Sequence, residues 1–136
     1  MITLLIGKKG SGKTKTLIEM ANKAVEASMG NVVVIEKGLK LTYDITHKAR
    51  LIDVDAYGIA GLDAMVGFVS GICAGNYDVT DIFVDSTLKI IGADADLEAL
   101  VAKFEALSKN AETNIVLSIS AAEEDIPAAV AQYVAK

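Results

Sequence analysis

Short, mainly apolar runs alternate along the chain with stretches whose apolar residues recur every third and fourth position. Ile2 to Ile6 is the first such run, and its β-branched members read as a strand buried on both faces of a parallel sheet. A Gly-rich turn follows. Leu17, Ile18, Ala21, Ala24 and Val25 then fall at helical spacing, with Gly30 as the stop signal. Val32 to Ile35 repeats the buried-strand pattern and ends at Glu36, completing a β-α-β unit whose crossover is right-handed. Residues 37–57 are less regular: Leu41, Tyr43 and Ile45 alternate as in a strand, and Leu51 to Val54 is a candidate short strand.

From Ile59 to Ala74 the apolar positions again follow helical spacing, although four glycines between Gly58 and Gly71 lower the propensity, so packing must hold this helix. Ile82-Phe83-Val84 is the next buried strand, closed by Asp85. Leu88, Ile90 and Ile91 either extend that strand into the core or, if exposed, form a contact for a partner. Leu97, Leu100, Val101, Phe104 and Leu107 form a helical stripe with Asp94 as the candidate N-cap. Ile115 to Ile119 is a further strand, and Ala128 to Val134 a short terminal helix behind Pro127. This order predicts one α/β domain over residues 1–136, a three-layer α/β/α sandwich around a mainly parallel sheet. Because 52% of the residues are apolar, only 5% are aromatic and Trp is absent, the core must be built from Ala, Val, Ile and Leu.

The turn after the first strand is the most specific feature. Gly7-Lys8-Lys9-Gly10-Ser11-Gly12-Lys13-Thr14 matches G-x-x-x-x-G-K-[ST] at every position, between a predicted strand and a predicted helix, as a phosphate-binding loop requires. The glycines permit backbone angles that turn successive N–H groups inward, and the helix start adds the positive end of a dipole. Lys13 reaches the β- and γ-phosphates in such a loop, Thr14 is placed to ligate Mg2+, and Lys8, Lys9 and Lys15 add positive charge around it. The ligand implied is a nucleoside triphosphate. ATP is preferred to GTP because the guanine-reading N-K-x-D pattern is absent and Ser86-Thr87 follows Asp85 where a GTPase switch would begin.

Two carboxylates complete the candidate site. Asp81-Ile82-Phe83-Val84-Asp85 is an apolar strand ending in an acid, which would hold the Mg2+ hydration shell beside Thr14. Many ATPases carry a catalytic glutamate directly after this aspartate, but here the position is Ser86. Glu36, at the end of the strand that follows the phosphate-loop helix, would project from the same sheet edge and could activate water, alongside Lys13 as the other candidate catalytic residue. The alternative for Glu36 is a solvated side chain paired with Lys37 or Lys40.

With these residues the chain resembles the RecA-like ATPases of the P-loop NTPase fold, a superfamily that includes recombinases and twitching-motility ATPases. The likeness rests on Gly7 to Thr14, on Val32 to Ile35 ending in Glu36, and on Phe83-Val84-Asp85-Ser86. It implies water activation by Glu36, Mg2+ binding by Asp85, and a last core strand between the first and third that offers Ser118 or Ser120 as a sensor of the γ-phosphate. Relatives often carry a larger amide there. The extra strands and partner-binding modules of recombinases and motors are missing, so the chain resembles a minimal stand-alone core.

Charge is unevenly placed. Residues 1–50 carry a net +5 and residues 51–136 a net −10, which favours a local anion site over a general nucleic-acid coat. Lys8 occupies the loop position from which some related ATPases reach into a partner's site, though their glycine at position 9 is replaced by Lys9. Arg50 is the only arginine, so any arginine finger this chain supplies must be Arg50. One histidine, His47, and one cysteine, Cys73, make no zinc set. Cys73 lies in an apolar helical pattern and reads as core. No apolar run approaches the eighteen residues or so that span a bilayer, and the N-terminus lacks the basic region of a signal peptide, so a cytoplasmic protein without a membrane partner is expected.

Three functions fit these residues. The first is a Mg2+-dependent ATPase of slow turnover, acting alone, as a homo-oligomer or with a protein partner. The second is a nucleoside or small-molecule kinase, which a single arginine disfavours. The third is a switch that binds ATP to control protein association without hydrolysing it.

Overall fold

In each of the five strands the side chains alternate between two apolar faces, so each strand must be covered on both sides. The computed structural model describes residues 1–135. Strands β1 (Ile2–Gly7), β2 (Asn31–Glu36), β3 (Arg50–Asp53), β4 (Val79–Val84) and β5 (Asn114–Ser120) form a wholly parallel sheet in the order β1-β5-β4-β2-β3. Placing β5 between β1 and β4 matches the expectation for the last core strand. Helix α1 (Lys13–Ala27) packs on one face, where Leu17 and Ala21 meet Leu5, Val32, Val34, Phe83 and Val116. Helices α2 (Leu62–Gly75), α3 (Thr87–Ile91) and α4 (Leu97–Ala111) pack on the other, where Met65, Val69, Ile90, Leu100 and Phe104 meet Ile2, Leu4, Val33, Ile35, Ile82, Val84, Ile115 and Leu117. The result is the three-layer sandwich predicted, with two cores separated by the sheet.

Several local expectations change. Residues 37–49 form no strand: Leu41 and Ile45 both turn into the α1-side core, joined by a hydrogen bond from Ile45 N to Leu41 O at 3.1 Å, while Tyr43 faces solvent. Their spacing of four is one helical turn, and Asn22 of α1 pins it by donating to Asp44 O (3.0 Å) and accepting from Thr46 N (2.9 Å). The candidate strand at 51–54 does form, as β3. Leu88, Ile90 and Ile91 do not extend β4; they lie on the short helix α3, with Ile90 and Ile91 buried and Leu88 packed against the core, so they offer no exposed partner contact. The N-cap of α4 is Asp96, which accepts from Glu98 N and Ala99 N, rather than Asp94. They lie two positions apart, and a cap must directly precede the first helical residue, here Leu97.

The terminal helix is shorter and tighter than expected. Ala128–Tyr133 is a 3-10 turn, after which Val134 lies alongside Leu4 and Ala135 N donates to Leu4 O at 2.9 Å. The chain must straighten here to run along β1, and in doing so it covers part of that exposed sheet edge. Cys73 is buried in the α2 core as expected. Burial raises its thiol pKa, opposed by a weaker hydrogen bond with Thr113, so it is not a reactive thiolate. Among the described residues no helix is long and apolar enough to cross a membrane.

Helix α2 explains its own glycines only in part. A Cβ at Gly67, Gly71 or Gly75 would meet nothing within 4 Å, so packing of Met65, Val69 and Cys73 holds the helix without needing these glycines. Replacing Gly71 by Ala should therefore stabilise the protein by about 0.5–1 kcal/mol, whereas Asp96→Ala should destabilise it by about 1 kcal/mol and Asp94→Ala by far less. Urea denaturation of the three variants checks both statements.

Candidate phosphate-binding site

The site lies where β1 ends and α1 begins. Gly7 closes β1 opposite Ser120, and its carbonyl accepts from Ala121 N at 3.1 Å, so the start of the loop is fixed to the end of β5. Gly10 and Gly12 adopt φ values of 85° and 92°, left-handed angles that glycine tolerates best. Gly7 is required for a different reason: a Cβ there would collide with the Ser11 side chain. Ser11 N donates to Lys8 O at 3.0 Å, which tightens the turn.

Helix α1 begins at Lys13 with no side-chain cap and no acid in its first turn. The first turn of any helix leaves N–H groups without intrahelical partners, and here no side chain supplies one, so the donors and the positive dipole end face the loop. Lys13 Nζ folds back onto Lys8 O at 3.0 Å. This is a cradle for an anion, and the residues present fit a triphosphate. Lys8, Lys9 and Lys15 are exposed around it.

Alternation along the strands decides what stands beside the cradle. Val84 and Ile35 point to the α2–α4 core, so Asp85 and Glu36, one residue on, point to the α1 side at the C-terminal edge. Asp85 is 8% exposed, its N donates to Ile35 O at 2.9 Å, and its Oδ1 accepts from Thr14 Oγ1 at 3.0 Å. Residues 71 positions apart thus meet through one hydrogen bond. Asp85 Oδ2 accepts from Ser86 Oγ at 3.2 Å. The pair Thr14–Asp85 offers one hydroxyl and one carboxylate, which suits Mg2+ carried in with phosphates and water. Among the described residues no group of three His, Cys, Asp or Glu side chains is assembled.

Glu36 sits on β2, next to β4, and neither Lys37 nor Lys40 forms an ion pair with it. Lys37 Nζ pairs with Asp55 at 2.6 Å. The Glu36 carboxylate is 2% exposed and accepts from Lys40 N (2.9 Å) and Leu41 N (3.2 Å), closing the loop after β2. The solvated alternative for Glu36 is therefore corrected: the acid is buried and held by backbone donors. Sequence reasoning missed this role because a backbone N–H five residues away carries no residue-type signal. The Ser86 contact was missed too, although the Asp-Ser pair itself was visible.

Ser118 is buried and Ser120 exposed, both on the α1 side of β5. Arg50 starts β3 at the level of Val33, on the outer edge of the sheet. Four strand spacings separate β3 from β1, about 19 Å, so Arg50 cannot serve its own chain's phosphate loop. A cleft of about 650 Å3 is lined by Cys73, Tyr77, Val79 and Thr113 where α2 and α4 end, at the opposite edge of the sheet from the loop.

No protein-family model matches the sequence, and no curated protein matches it. Solved structures do. The flagellar accessory protein FlaH from Methanocaldococcus jannaschii superposes with a TM-score of 0.63 over 96% of this chain at 14% sequence identity. The two share a fold, an α/β sandwich around a parallel sheet. This chain spans 65% of the FlaH chain. At that identity the likeness carries the fold and leaves the chemistry to the residues themselves.

Gly7→Ala should distort the loop while leaving the parallel sheet intact. The collision with Ser11 should cost about 1–3 kcal/mol of stability, as overpacking does, with an unchanged far-ultraviolet circular dichroism spectrum. Urea titration followed by that signal measures both.

Proposed function

We propose that the chain binds Mg-ATP in the loop Gly7–Thr14 and hydrolyses it slowly. The observation that carries the reading is the Thr14–Asp85 hydrogen bond at 3.0 Å, which brings the start of α1 and the end of β4 together across 71 positions of sequence. The RecA-like fold supports nucleotide binding at this edge, because in open parallel sheets ligands bind outside the C-terminal ends of the strands.

In this reading Lys13 leaves Lys8 O and turns to the β- and γ-phosphates, while the uncapped N–H groups of α1 hold the phosphate oxygens. Thr14 and Asp85 would hold Mg2+, which when bound would supply positive charge beside the phosphate oxygens. Glu36, one strand beyond Asp85 and on the same face, orients and deprotonates the attacking water. Turnover is slow for two reasons. Ser86 stands where many ATPases have their base, and Glu36 must give up hydrogen bonds to Lys40 N and Leu41 N before it can turn toward water. We place this activity in the cytoplasm.

A switch role is compatible with the same site. Leu39 and Tyr43, in the loop that Glu36 closes, are 74% and 100% exposed, and a protein that meets them would sense whether Glu36 holds the loop. FlaH is itself named an accessory protein, which supports a role alongside a protein partner or further copies of the chain.

Lys13→Ala separates binding from fold. Mg-ATP at a hundred times its Kd should stabilise the natural chain by about 2.7 kcal/mol, and this gain should vanish in the variant with its ligand-free melting point unchanged. Glu36→Gln tests turnover. The hydrolysis rate should fall by about a hundredfold with ATP affinity retained; an unchanged rate excludes Glu36 as the base.

A further inference from the structure

Among the described residues, two other than glycine adopt left-handed backbone angles, Ser86 and Glu112, both at φ 53°. Glu112 closes helix α4, where this conformation is ordinary. Ser86 has no such explanation. It lies in the turn from β4 to α3, directly after Asp85, at a position where glycine would carry no steric penalty. A strained residue retained beside a candidate site points to its side chain.

That side chain has one hydrogen bond, to Asp85 Oδ2 at 3.2 Å. Asp85 is 8% exposed, and Thr14 occupies Oδ1, so the two hydroxyls pin both carboxylate oxygens. A carboxylate anchored at one oxygen alone is free to rotate about its Cβ–Cγ bond. The neighbouring hydroxyl cannot substitute, since Thr87 Oγ1 is turned back to Val84 O at 3.4 Å. The turn has supports that do not involve the Ser86 hydroxyl: Asp85 N donates to Ile35 O at 2.9 Å and Lys89 N to Ser86 O at 3.0 Å.

We propose that Ser86 is a positioning residue: its hydroxyl holds Asp85 Oδ2 so that Oδ1 stays on Thr14, and it thereby sets how much Mg2+ strengthens nucleotide binding. The inference rests on the reading of Gly7–Thr14 as an ATP site. It assigns the strained backbone and the Asp-Ser pair one joint purpose, with Ser86 acting through Asp85 and touching neither metal nor phosphate.

The test uses Ser86→Gly and Ser86→Ala, which both remove the hydroxyl but differ in backbone. Glycine accepts the left-handed angle and alanine does not, so the glycine variant should melt at the higher temperature of the two. The readout is the ratio of affinities for a fluorescent ATP analogue with and without Mg2+. The ratio should fall about tenfold in both variants, the effect of one charge-assisted hydrogen bond. A ratio in Ser86→Gly equal to that of the natural chain overturns the inference, as does a ratio that follows the melting temperatures. If the natural chain binds the analogue and gains from Mg2+ while Ser86→Gly gains equally, only the role of Ser86 fails. If the natural chain does not bind the analogue at all, the ATP reading fails with it.

Discussion

One hydrogen bond, from Thr14 to Asp85, ties the start of α1 to the end of β4, and the arrangement of the site depends on it. Neither residue could reach the other without the sheet order. Strand β5 lies between β1 and β4, so the loop after β1 and the acid after β4 are two strand spacings apart, about 10 Å, and α1 crosses that gap. The parallel direction of every strand brings all the relevant C-terminal ends to one edge. Side-chain alternation then chooses the face: Val84 and Ile35 serve the larger core, which turns Asp85 and Glu36 toward α1.

The same constraint shapes what this site can do. Phosphate recognition as proposed needs backbone donors, Lys13 and the Thr14–Asp85 pair, which stand at one edge of the sheet. Hydrolysis needs a base, and the candidate base is engaged elsewhere. Glu36 is more buried than Asp85 and serves the loop after β2, so any catalytic use of it involves that loop. Binding and turnover are thereby separable in this fold. The exposed Leu39 and Tyr43 lie in the segment that would register the difference.

Much of this was legible in the residues. Mainly apolar runs marked four strands, three of them ending at Gly7, Glu36 or Asp85, because a strand buried on both faces leaves few polar positions to confuse the period. The loop Gly7–Thr14 was legible because its chemistry demands residue types at set spacings. Other features were not, and the reasons are physical. Leu41, Tyr43 and Ile45 alternate in sequence, yet only a helical turn buries Leu41 and Ile45 together. Asp94 and Asp96 are equivalent by type, and only the helix start at Leu97 distinguishes them. The partners of Glu36 are backbone groups, which every residue carries. Val134 and Ala135 run along β1 because a sheet edge needs cover, a demand set by the fold and invisible in the local pattern.

The central proposal is a place as well as a ligand: a triphosphate held against the start of α1, where Thr14 and Asp85 would hold its Mg2+. Crystallography of the chain with Mg2+ and a non-hydrolysable ATP analogue tests it most directly. The account predicts the β- and γ-phosphates within hydrogen-bond distance of the backbone N–H groups of Gly10 to Thr14, Lys13 Nζ moved from Lys8 O to the phosphates, and the metal beside Thr14. Saturating analogue bound at any other surface, or a loop that stays empty in its presence, would contradict it.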